Sequence, residues 1–334
     1  MASKRKRNNN KKRTRRIFLA IIMILFVGVV LTTSTYAWFT ANTTVTVESI
    51  DVTVSTSEGL QISTDAANWK SIVTNNDITG ASWTDAKNQL PTGSNTAVPV
   101  STIGTVDDDG LMEMYRGKIE TSTVDGDNIL VAQKTTETNS TSGDFVAFDL
   151  FFQSSKAQTV YLTSNSKVVA KGTSTGIQNA ARVGFIKEGS VEFGSTPRQA
   201  QVLKGSVEKW IWEPNYDVHT AAGVSNANDV YDIQTTQEGG TKLEYKGVKA
   251  EIAKANNIKL NSDSEDYFDD VTTVGTKAEG IQSNSYLRAF DVAEGVTKVR
   301  IYMWIEGQDV DCEDRASGGS LTYNLQFIIN DKAN

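Results

Sequence analysis

Near the C-terminus the chain is apolar at every second residue. Leu321, Tyr323, Leu325, Phe327 and Ile329 share one phase, and Thr322, Asn324 and Gln326 the other. A helix would scatter those five around its circumference, so the run predicts a strand with one buried face. Val299, Ile301, Met303 and Ile305 repeat the pattern, with Arg300, Tyr302 and Trp304 on the opposite phase. Phe145 to Phe152, FVAFDLFF, is apolar in both phases and predicts a central strand covered on both sides. Shorter candidates are Gln158 to Leu162, Ala181 to Ile186, Thr241 to Tyr245 and Tyr286 to Val292. In the first run of the body, Val45 and Val47 hold one phase and Ile50, Val52 and Val54 the other, which predicts a bulge at Glu48-Ser49. Helices are predicted only around Thr196 to Trp210 and Gly247 to Asn256. Apolar runs are sparse from Asp65 to Ser142, which reads as a loop-rich excursion. The expectation is an all-β body of β-sandwich or jelly-roll-like type with long loops, spanning 39–334.

Ahead of it lies a different kind of segment. Met1 to Arg16 carries nine bases and no acid, and Ile17 to Leu31 has no polar residue. Thr32-Thr33-Ser34-Thr35 and Tyr36-Ala37-Trp38-Phe39 follow. This is the order of a secretory signal, with the basic end kept inside and the rest sent outward. Residues 1–38 are therefore a signal peptide or an N-terminal hydrophobic helix that anchors the chain in the membrane. Fifteen residues of helix span about 22 Å at ~1.5 Å each, against a hydrocarbon core of about 30 Å. Length favours cleavage by a signal peptidase around Ala37, Trp38 and Phe39. The aromatic pair at the outer interface would suit an anchor.

The whole chain has 33 bases and 40 acids. Setting aside the nine leader bases leaves 24 against 40, a net of −16 on the body. Such a surface repels nucleic acid. With one cysteine, Cys312, no internal disulfide forms, and that thiol reads as a small core filler. The single histidine, His219, sits in a polar stretch and reads as a surface residue.

The junction Ser34-Thr35-Tyr36-Ala37-Trp38-Phe39-Thr40, followed by Val45-Thr46-Val47 and Ile50-Asp51-Val52, resembles the N-terminus of TasA/camelysin-type proteins of Gram-positive bacteria. The match covers roughly this junction and first strand. Ser49 stands where the family often has Gly, and the body is longer than is typical. The resemblance implies export with a dedicated signal peptidase and a mature chain starting near Phe39. It also implies jelly-roll subunits at the cell surface, some of which polymerise into biofilm-matrix fibres. There the N-terminal strand of one subunit completes its neighbour's sheet. Here that assembly strand would carry Phe39, Val45 and Val47, and the partner would be a second copy of the chain.

Other candidates are weaker. Asp309, Asp311 and Glu313 alternate, with Asp314 beside them, and an extended loop would aim the first three the same way. Calcium takes six to eight oxygens, but this is not EF-hand spacing, so a solvated loop outweighs a calcium site. Asp107-Asp108-Asp109-Gly110 and Asp263 to Asp270 read as turns or exposed loops. Trp210 and Trp212 would share a face of a strand and could stack on a sugar. That supports a second reading, a membrane-anchored extracellular module binding a glycan or a protein. No nucleotide-binding, zinc-protease or serine-hydrolase motif is present, so no enzyme and no cofactor is expected.

Mass analysis of the N-terminus of the exported protein should place its first residue between Ala37 and Phe39. A membrane-bound chain that still contains Ile17 to Leu31 would identify an anchor instead.

Overall fold

The computed structural model describes 44–55, 59–81, 83, 88–91, 96–121, 128–138, 141–231, 234–256, 266–278, 280–283, 285–313 and 317–329. The leader, the hydrophobic helix expected within it, Ala37, Trp38, Phe39 and Asp314 lie outside these residues. Among the described residues no helix is long and apolar enough to cross a membrane.

The chain is mostly β. One six-stranded sheet runs β15 (Leu287–Val292), β7 (Gln158–Leu162), β17 (Gly319–Ile329), β1 (Val45–Val54) and β3 (Ile72–Thr74), with β8 (Lys167–Ala170) also on β17. A second six-stranded sheet runs β14 (Thr273–Gly275), β10 (Glu208–Glu213), β9 (Ala181–Val191), β16 (Gly295–Ile305), β6 (Val146–Ser154) and β2 (Gln61–Ser63). A smaller sheet joins β12 (Ile252–Asn256), β5 (Asn128–Thr135) and β4 (Met114–Thr121), and β11 (Lys246–Val248) pairs with β13 (Phe268–Asp270).

β17 alternates buried and half-buried residues along its whole length, as its sequence predicts. Its buried face meets the second sheet. The Phe327 ring lies 5.3 Å from Phe152 of β6 and 6.0 Å from Phe185 of β9, centre to centre. Val45, Val47, Ile50, Val52 and Val54 of β1 all enter the same core. They can do so because the register slips between Val47 and Ser49, so the bulge turns both apolar phases inward. β1 runs parallel to β17, so the start of the body lies beside its end.

β6 is buried on both faces, as expected, and so is β16. One face of each joins the core between the two large sheets. The other faces Val100, Met112 and Met114 from the excursion, which pack on Phe145, Ala147, Tyr302 and Trp304. The stretch read as loop-rich thus supplies β3, the β4–β5 hairpin and the cover for the second sheet.

Several local expectations fail. Helix α1 (Asn75–Gly80) is capped by Thr74 and Asp77 within the excursion. The helix predicted from Thr196 is only one turn, α2 (Pro197–Gln201), and Glu208–Glu213 is a strand because Lys209 to Trp212 find partners on β9. Gly247 to Asn256 is not helical. Gly247 packs so closely on Thr102 that a Cβ would meet its carbonyl oxygen at 2.0 Å, and Ile252 pairs with Ala132 of β5. Thr241 to Tyr245 is not a strand; pairing begins at Lys246. A third helix, α3 (Ala221–Tyr231), was not predicted.

Phe327→Ala should cost about 3–5 kcal/mol, the range for truncating a large buried ring. Ile72→Ala on the exposed edge should stay within about 0.5 kcal/mol. Denaturant midpoints of the two variants test this, and equal effects would show that Phe327 does not join the sheets.

Candidate functional site

Among the described residues, the outer face of the second sheet and the loops at its end carry most of the buried charges. Along β16 this face reads Lys298, Arg300, Tyr302, Trp304, and Glu306 follows the strand. All five are at least nine-tenths buried. Ions in such a place are tolerated only with partners that replace water.

At one end, Arg300 donates through Nη1 to Asp149 Oδ1 at 2.7 Å and also pairs with Glu137. Its Nε donates to the Tyr302 hydroxyl at 3.1 Å, and that hydroxyl donates to Glu137 at 2.5 Å. Lys298 Nζ lies 3.3 Å from Asp149 Oδ2 and 2.7 Å from Glu188 Oε2. It donates to the carbonyls of Gln201 at 3.2 Å and Leu203 at 2.9 Å. The Trp83 ring centre is 5.5 Å from the ammonium. Asp149, Lys298 and Glu188 thus come from three adjacent strands, β6, β16 and β9. They border a cleft of about 310 Å³ with Arg300, Trp83 and Leu111. Burial, and then the Asp149 carboxylate, push Glu188 up to about 7. With Glu188 protonated, two cations face two anions.

At the other end, Arg182 of β9 donates to Glu213 at 2.9 Å and to Asp309 at 2.6 Å, over the Tyr245 ring. Burial opposes its charge, but Glu213 and Asp309 outweigh that and hold its affinity for a proton above the ordinary range. Glu306 accepts from the Trp304 indole and from the Gln308 amide, both at 3.1 Å. Burial pushes it up to about 7 in spite of these donors. His219 Nδ1 is 2.8 Å from Asp311 Oδ2, and the Thr220 amide donates to Asp311 Oδ1 at 2.6 Å. Gly223 lets α3 approach this pair, for a Cβ there would stand 2.3 Å from Asp311 Oδ1.

Residues proposed from the sequence are placed differently from one another. Asp309, Asp311 and Glu313 do not point one way into solvent. The loop folds into successive turns, with Asp309 N–H donating to the Glu306 carbonyl and Cys312 N–H to that of Asp309. Asp309 serves Arg182, Asp311 serves His219, and Glu313 accepts from Thr220 at 3.1 Å. Among the described residues no group of three such side chains is arranged to hold a metal ion. His219 is 7% exposed, not a surface residue. Cys312 is in the core, as expected. Asp107 closes its own turn through the amides of Asp109 and Leu111, both at 3.0 Å. Trp212 is fully buried and Trp210 stacks on Phe185 at 4.7 Å, so the pair forms part of the core and not a sugar platform. The signal for the charged face was Asp149, an acid inside an apolar run, which requires a cation opposite it. No protein-family model, curated protein or solved structure matches the chain.

The charged face has a consequence for pH. Glu188, Glu306, Asp311 and His219 all have folded-state proton affinities above their unfolded values. These four groups therefore hold more protons in the fold than in the unfolded chain, and the stability they contribute falls as pH rises. For the two glutamates the window runs from about 4.5 to about 7. Denaturant unfolding should show a more stable body at pH 5 than at pH 7.5. Glu306→Gln should remove up to roughly 3 kcal/mol of that difference. A slope of opposite sign would refute the assignment.

Proposed function

We infer that this chain is an exported structural protein of the cell surface or extracellular matrix, a β-sandwich subunit that assembles with its own copies by strand addition. The observation that carries the reading is the leader, nine bases ahead of 15 apolar residues and a small-residue junction, delivering an acidic β body. The paired large sheets and their common core fit a jelly-roll-like subunit. In such assembly the backbone of one copy extends the sheet of the next.

The fold sharpens which residues are available. Val45 to Val54 are already claimed by β17, and Val45 also exchanges two 2.8 Å hydrogen bonds with Ala97. Val45 and Val47 are thus home-sheet residues, and the donated strand is restricted to the residues before Thr44, Phe39 among them. On the receiving side, the two edges of the first sheet differ. β15 is guarded by Arg288, which pairs with Glu208 at 2.6 Å and Asp291 at 2.9 Å. β3 covers only Asp51 to Thr53 of β1 and leaves Ile72 54% exposed, the more open template.

Two deletions separate assembly from folding. Removing 39–43 should abolish filaments in electron micrographs and leave the unfolding midpoint unchanged. Extending the deletion through Val47 should also destabilise the body, by roughly 1.5–3 kcal/mol for each buried valine lost. Filaments that survive the shorter deletion would defeat the model.

A further inference from the structure

We propose that Lys298 and Asp149 condense to an intramolecular isopeptide bond that staples β16 to β6, with Glu188 carrying the protons. The inference concerns the chemistry of the fold itself and does not rest on assembly.

The geometry places each component. Arg300 faces Asp149 and Lys298 faces Phe151 in the antiparallel register, so Lys298 and Asp149 are diagonal neighbours on one face. A lysine stem spans that diagonal, and Nζ reaches 3.3 Å from Oδ2. Both residues sit on long central strands, which holds the reacting groups together at high effective concentration. Lys298 and Asp149 are 5% and 2% exposed. Trp83 packs on Phe151 and, with Val296, belongs to an apolar patch of its own on this face. Although the cleft borders the pair, little of either side chain is open to its water, which favours condensation over hydrolysis.

The step balances without any added reagent. Glu188 takes a first proton from the ammonium, and the Nζ lone pair so freed attacks the Asp149 carboxyl carbon and forms the N–C bond. Charge develops on Oδ1, where Arg300 Nη1 already donates at 2.7 Å and acts as an oxyanion donor. The C–Oδ2 bond then breaks. The ammonium has three protons: the amide keeps one, and two leave with Oδ2 as water. Glu188, 2.7 Å from Nζ, takes protons from nitrogen, delivers them to Oδ2 and ends as it began. A carboxyl held up near neutrality by burial suits this exchange. The lysine cation and the aspartate anion disappear together, so Arg300 with Glu137 remains a balanced pair.

The test is the intact mass of the purified full chain or its exported form under denaturing conditions. It should be lighter than the sequence requires by one water, and proteolysis should yield a branched peptide joining position 298 to position 149. Lys298→Ala and Asp149→Ala should each restore the full mass. Full mass in the unaltered protein, with Lys298 and Asp149 on separate linear peptides, overturns the proposal. So does a one-water deficit located elsewhere in the chain. Glu188→Gln should also restore the full mass; a cross-link that still forms in that variant removes Glu188 from the reaction. The unaltered chain alone decides the bond, so poor folding of a variant leaves the answer intact.

Discussion

β16 is buried along all of its length, yet Lys298 and Arg300 lie on it, and much of the remaining architecture answers that conflict. Covering the strand requires the excursion between β3 and β6. Covering its charges requires acids at fixed places: Asp149 on β6, Glu188 on β9 and Glu137 after β5. A buried cation that lost its partner would be far more costly than an apolar residue at the same position. The two charged ends are therefore a specification as much as a source of stability. Strands that paired out of register would strand an ion without water.

Much of this was legible in the sequence where a strand has one wet face. β17 could be read residue by residue because alternation survives when one side is exposed. The bulge in β1 was visible for the same reason, as a change of phase at Glu48-Ser49. Strands buried on both sides show only that they are apolar, and what covers them does not appear. The excursion looked loop-rich because its apolar residues, Val100, Met112 and Met114 among them, are spread too thinly to show a period. Trp210 and Trp212 alternate as a surface pair would, but alternation does not say which face is outermost. The sites suffered most, because Arg182 with Asp309, or Lys298 with Asp149, are partners across more than a hundred residues and no local pattern joins them. A lone acid within FVAFDLFF was the one local sign of what lay opposite.

The acidic loop after β16 shows how composition misleads. Its carboxylates resemble a solvated turn or a cation site, but Asp309, Asp311 and Glu313 each answer a base or a hydroxyl that arrives from elsewhere in the chain. Asp311 fixes His219 and the start of α3, and Asp309 anchors Arg182 at the start of β9. The loop closes one end of the second sheet through these side chains, without an internal disulfide, which a single cysteine cannot form.

The parallel pairing of β1 with β17 has a kinetic meaning. Thr44 and Ser317, which hydrogen-bond beside it, are 273 positions apart. Such a contact repays the entropy of closing nearly the whole chain only at the end, and topologies of this kind fold slowly. Export from the N-terminus, as proposed above, would present β1 long before β17. Until β17 followed, among the described residues only β3 over Asp51 to Thr53, and Ala97 beside Val45, could pair with this valine-rich strand.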